Sequence, residues 1–302
     1  MAERISVFVD EALRSVATQV TCEGIGQWRL SILNGEVLPL QARMTSGWLA
    51  LTASLPSSAR AVYGDLLALQ VNEHLPGSAR VARLFGDHEP HVRADTWIEH
   101  AQDLTGWLSA SCSALTTAAH AFTSIDNQPA GATSASSQLV ADVERACCES
   151  GWPAASGDRS SLRVEISTRT GVYTARMMAV ADSAAAFVVE LADMAGCPHV
   201  CRRATAALLL AASGSLRLVK GAFVQNDGTE MASLVSPFDL ALGPWTDEAL
   251  SALTVGCQLV GREVQALLDE GLAAEYLALS GVPDEHDART LVEQEEEQPC
   301  LQ

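Results

Sequence analysis

Two stretches of this chain read as the same run of strands. Residues 27–55 open on Arg29-Leu30-Ser31-Ile32, and residues 161–191 open on Arg163-Val164-Glu165-Ile166, 134 positions later. In both, apolar and polar residues alternate, the period of a strand with one buried face. Gly35 in the first is answered by Gly171 in the second. The pattern predicts strands over about 28–33, 37–44 and 47–53, and again over 162–167, 171–180 and 185–191. Ile5, Val9 and Ala12 precede Leu139, Val143 and Ala146 by the same 134 positions. Further on, Leu108 and Cys112 precede Leu253 and Cys257 by 145. Small loop insertions produce such a one-way drift, whereas coincidence scatters. The chain therefore reads as one unit written twice.

Helices frame the strands. Ile5, Phe8, Val9, Ala12, Leu13 and Val16 fall on one helical face. Further helices are predicted over about 57–72, 103–122, 197–213 and 247–268, with 271–280 prolonging or flanking the last. Asn34-Gly35 and Asn226-Asp227-Gly228 are hairpin signals, and Gly86-Asp87 joins two further predicted strands. Each half thus reads helix, three strands, helix, two strands, helix. The expected class is α+β, with an antiparallel five-stranded sheet in each half. The expected organisation is a first repeat over 1–122, a linker over 123–137, a second repeat over 138–280 and an acidic, disordered tail over 281–302. At 302 residues, two units of about 150 are also what length alone suggests.

The net charge is −18, from 37 acids against 19 bases. That balance argues against a nucleic-acid partner and against an anionic membrane surface, because both need cationic neutralisation. No run approaches the roughly 18 apolar residues of a membrane span, and the first residues lack a signal-peptide pattern. A cytoplasmic protein is expected. The eight cysteines then read as reduced thiols rather than a disulfide framework.

Signs of chemistry are few. Cys197-Pro198-His199-Val200-Cys201 places two cysteines four apart, but no second cluster supplies the remaining metal ligands. The seven histidines form no HExxH spacing. There is no GxSxG elbow, no phosphate-binding loop and no GxGxxG fingerprint. No catalytic, cofactor or metal residue is expected, and the chain reads as a non-enzyme.

The order of elements, in an acidic protein, resembles the class I chaperones of bacterial type III secretion. The local likenesses are Leu66-Leu67-Ala68-Leu69-Gln70-Val71-Asn72, the Gly86-Asp87 hairpin and Val92-Arg93-Ala94-Asp95. In the second half they are Leu208-Leu209-Leu210-Ala211-Ala212 and Asn226-Asp227-Gly228. Members of that family are small α+β homodimers that hold an extended segment of a secreted effector and catalyse nothing. The resemblance implies that this chain is a tandem version, a monomer whose halves form an internal pseudo-dimer around a bound protein or peptide segment. A linker of 15 residues reaches up to about 50 Å when extended. The residues expected at the partner-binding or inter-repeat surface are Trp48, Leu49, Leu51, Leu66, Leu69, Phe187, Val189 and Leu208. A structural or regulatory module of the same fold, or a thiol-based enzyme, are the alternatives.

Overall fold

A computed structural model describes residues 2–34, 36–55, 64–75, 77–83, 90–98, 103–121, 137–158, 161–226, 228–241 and 245–280. Among these residues the chain is α+β, with seven helices and two six-stranded antiparallel sheets. The first sheet comprises β1 (Gln19–Gly24), β2 (Gln27–Asn34), β3 (Glu36–Thr45), β4 (Trp48–Ser54), β5 (Arg80–Arg83) and β6 (Pro90–Trp97). The second comprises β7 (Ala154–Asp158), β8 (Ser161–Ser167), β9 (Val172–Ala179), β10 (Ala184–Asp193), β11 (Lys220–Asn226) and β12 (Thr229–Asp239). Their orders are β1-β2-β3-β4-β6-β5 and β7-β8-β9-β10-β12-β11. Each sheet therefore lays four strands side by side and inserts its sixth between the fourth and fifth.

Alternation sets which face is covered. Trp28, Leu30 and Ile32 on β2, like Leu162, Val164 and Ile166 on β8, point inward and are buried. Against these inner faces pack α1 (Ala2–Val16) and α3 (Leu104–Ala121) in the first half. In the second half α4 (Ser137–Glu149) and α6 (Thr246–Ala266) do the same. On α1 the buried residues are Val9, Ala12 and Leu13, one helical stripe. Ser46 and Gly47 between β3 and β4 have φ of 51° and 81°, a two-residue turn whose twist suits a hairpin.

The expected three strands before the second helix are four. The additional pair, β1 and β7, are the outer edges of their sheets. Along β1 five of six residues are exposed, so no apolar alternation marks it. β7, Ala-Ala-Ser-Gly-Asp, has only small or polar side chains. The expected Gly86-Asp87 hairpin, nearly all of the linker and the tail lie outside the described residues. Gly271–Ser280 belongs to a separate helix, α7 (Glu270–Ser280), whose Ala273 and Leu277 pack on Cys201, Ala204 and Ala207 of α5 (His199–Ser215).

The remaining helix, α2 (Gly64–His74), crosses between the halves. It packs on β11, while α5 packs on β5. A single apolar core consequently runs from Val9 through Leu69 and Leu209 to Val264.

Candidate partner-binding site

Two places concentrate polar chemistry: the seam between the halves, and a groove that opens beside it. At the seam each half sends one buried cation to the other half's crossing helix. Arg80, at the start of β5, donates from Nε to the Ser213 carbonyl at 2.7 Å and from Nη2 to the Leu216 carbonyl at 2.8 Å. Lys220, at the start of β11, donates from Nζ to the Leu75 carbonyl. Both cations sit where a helix ends, against carbonyls without intrahelical partners. Each helix also bonds the strand of its own half that carries the cation. Asn72 Oδ1 accepts from the Val81 amide at 2.6 Å, and Ser213 Oγ accepts from the Gly221 amide at 2.7 Å. Asn72 Nδ2 also donates to the Gly221 carbonyl at 2.9 Å.

The two cations differ in their counter-ions. Arg80 faces Asp95, 2.5 Å away, and Arg93 grips the same carboxylate at 2.8 Å. Burial by itself would raise the Asp95 carboxyl, but the two guanidiniums outweigh it and hold it below the usual carboxylate range. Register explains why Lys220 has no such mate. β5 and β6 pair Arg80 with Arg93, and β4 pairs Ala50 with Asp95. The matching positions of the second sheet hold Val235 opposite Lys220 and Pro237 opposite Ala186. Burial therefore pushes the Lys220 ammonium down from 10.5 to about 7, with Arg80 adding to the push and Glu73 opposing it.

A pH dependence follows. The native state releases the Lys220 proton near 7, whereas the unfolded chain keeps it to about 10.5. Between those values the unfolded state binds more protons, so stability rises with pH and the penalty is fully present below 7. The slope approaches about 1.4 kcal/mol per pH unit. Buried Cys112, pushed to about 11, and Cys147 and Cys257, pushed to about 12, act oppositely once unfolded thiols ionise near 9.0. Urea midpoints measured from pH 7 to about 8.5 should climb in the natural chain and stay flat in Lys220→Met. A flat profile in the natural chain would refute the burial of that charge.

The groove has a volume of about 520 Å³ and lies on the outer face of the first sheet. On β4 the outward residues are Trp48, Ala50 and Thr52, and the inward ones are Leu49, Leu51 and Ala53. Arg43 of β3 and Arg93 of β6 flank them. From the second half, Arg217 reaches over and sets its guanidinium 4.8 Å above the Trp48 ring. Trp97 lies 5.4 Å from Trp48. The corresponding face of the second sheet is unlike it, with Ala186, Val188, Ala222, Val224 and Val235 forming a small buried apolar cluster.

The residues singled out in the sequence part company here. Leu49, Leu51, Phe187 and Val189 are fully buried and point to the helices within their own half. Leu69 on α2 is buried in the core that bridges the halves, with Leu66 packed at its margin. Leu208 on α5 is half-buried between that core and the cluster under α7. Trp48 alone lines the groove. Arg80, Asp95, Arg217 and Lys220 are not among the site residues expected from the sequence. One signal was available: Lys220 is the only lysine, set in the apolar run Val219-Lys220-Gly221-Ala222-Phe223-Val224.

The seven described cysteines are free thiols. Burial raises those of Cys112, Cys147 and Cys257, which makes them poor nucleophiles. Among the described residues, no three of His, Cys, Asp and Glu come together as a metal site. No helix among them is long and apolar enough to cross a membrane. Comparison with protein families, with curated proteins and with solved structures finds no match.

Proposed function

We propose that this chain is a non-enzymatic polypeptide-binding protein, similar to a class I type III secretion chaperone but carrying two copies of the unit in one chain. The copies form an internal pseudo-dimer that holds an extended segment of a partner, such as a secreted effector, in the cytoplasm. The reciprocal seam carries this reading. Arg80 and Lys220 occupy matching strand positions and each caps the opposite helix. Asn72 and Ser213 each accept from the strand amide next to the matching cation. That is the arrangement a two-fold dimer leaves behind when its subunits become one chain. The identical succession of strands in the two sheets supports it further.

Binding by an extended segment suits the outer surface. β1 and β7 are edge strands, and an edge accepts a further strand through its backbone. The groove beside β4 supplies side-chain contacts. The test is capture by the full-length chain from extract of its own source, followed by limited proteolysis of the complex. A single partner should co-elute in fixed proportion, with one contiguous stretch protected from cleavage. A chain that elutes alone and protects nothing would overturn the proposal.

A further inference from the structure

We propose that the groove on the first sheet binds an acidic peptide segment, with Arg43 and Arg217 taking its carboxylates and Trp48 forming the floor. This rests on the reading of the chain as a holder of extended polypeptide, and it names the surface and the chemistry of what is held. Charge is the first observation. Three arginines, Arg43, Arg93 and Arg217, line the groove against two carboxylates, Glu23 and Asp95. Both carboxylates are already engaged. Glu23 pairs with Arg29 at 2.6 Å, and Asp95 pairs with Arg80 and Arg93. Among the described residues, Arg43 and Arg217 form no ion pair, although the Asp95 charge acts on Arg217 from farther off. Surplus cations concentrated at one concavity, in a chain of net charge −18, mark a place for anionic groups.

Geometry is the second. Arg217 is held over the groove rather than free to swing. Its guanidinium stacks on Trp48 at 4.8 Å, and burial pulls its pKa below the ordinary value. The next residue, Leu218, adopts φ 60°, a costly backbone for a branched side chain. Ser236 fixes that turn by donating to the Leu218 carbonyl at 2.7 Å. The strained turn aims a residue of the second half at the sheet of the first. A guanidinium in fixed position pairs with a carboxylate through two parallel hydrogen bonds. An extended peptide presents alternate side chains to one face, so acids at every second position meet the arginines together. Single-stranded nucleic acid is the lesser match, since the rest of the chain repels phosphate.

The experiment uses the full-length chain and a fluorescein-labelled peptide that alternates glutamate with leucine, read by anisotropy. Glutamine-for-glutamate and lysine-for-glutamate peptides and a labelled oligothymidylate run beside it. Arg43→Gln/Arg217→Gln is the variant, because neither side chain hydrogen-bonds across the seam and only the Arg217–Trp48 contact is given up. The acidic peptide should bind the natural chain at least about tenfold more tightly than the glutamine peptide. The variant should lose that preference while still unfolding in a single cooperative urea transition, its midpoint lowered only by the lost Arg217–Trp48 contact. Equal binding of the acidic and glutamine peptides, unchanged in the variant, would overturn the acidic groove yet leave polypeptide holding intact. Binding of no peptide at all would remove both. Tighter binding of the oligothymidylate than of the acidic peptide would reassign the groove to nucleic acid.

Discussion

Asp95→Ala should destabilise the protein by about 3–5 kcal/mol, the largest effect expected of any single polar substitution in it. Asp95 is 1% exposed, and its carboxylate is what neutralises the fully buried Arg80 guanidinium. Without it Arg80 keeps its charge, since an arginine does not give up its proton, and retains only carbonyls as partners. Arg93 also loses its ion pair. The unfolding temperature should fall on the order of 10 °C. Arg80→Met/Asp95→Ala is the informative companion. Removing both charges spares the desolvation cost that the single substitution leaves exposed, so the double variant should be less damaged than the sum of the two singles. A coupling of at least about 1 kcal/mol in that cycle, from urea unfolding, is the expected reading. Additive singles would mean that the pair does not interact in the folded protein.

The same pair shows where sequence reasoning stops. Strands β2 and β8 were legible because burial on one face imposes a period of two on Trp28, Leu30 and Ile32 and on Leu162, Val164 and Ile166. Helix α1 was legible for the equivalent reason at a period near four. β1 and β7 left no such mark, since five of the six β1 residues are exposed and β7 carries only small or polar side chains. The seam was illegible for a different reason. Arg80 and Asp95 lie 15 positions apart on different strands, and Arg80 meets Ser213 and Leu216 only after the halves dock. No local spacing encodes a contact made by docking. The groove compounds this, because Trp48 comes from one half and Arg217 from the other.

Strand β4 adds a finer lesson. Trp48-Leu49-Ala50-Leu51 reads as apolar on both faces, like Ala186-Phe187-Val188-Val189. On β10 the outward residues do join an apolar cluster, with Ala222, Val224 and Val235 as neighbours. On β4 the outward neighbours are Arg93 and Asp95. The side chains on the strand are similar; those on the next strand decide what the face becomes.

That difference between the sheets makes the two halves unequal when separated. Residues 1–122 expressed alone should form a homodimer, whereas residues 137–302 alone should aggregate. In either case α2 or α5 is left without the strand it packs on, and the core from Leu69 to Leu209 is opened. A second copy can replace the missing half only if the seam's charges remain balanced. In a pair of first halves, each Arg80 would reach the Leu75 carbonyl of the other, the part Lys220 plays in the intact chain. Each Arg80 would still hold its own Asp95. In a pair of second halves, two Lys220 ammoniums would be buried with Val235 and Pro237 where the first half has Arg93 and Asp95. Below pH 7 both would carry charge and no carboxylate of that sheet would face them. Light scattering coupled to size exclusion distinguishes the outcomes, and mixing the two halves should recover a one-to-one complex. A first half that stays monomeric and folded would show that the halves share no essential buried surface. A second half that dimerises as readily as the first, at pH 6, would show that the missing carboxylate does not matter.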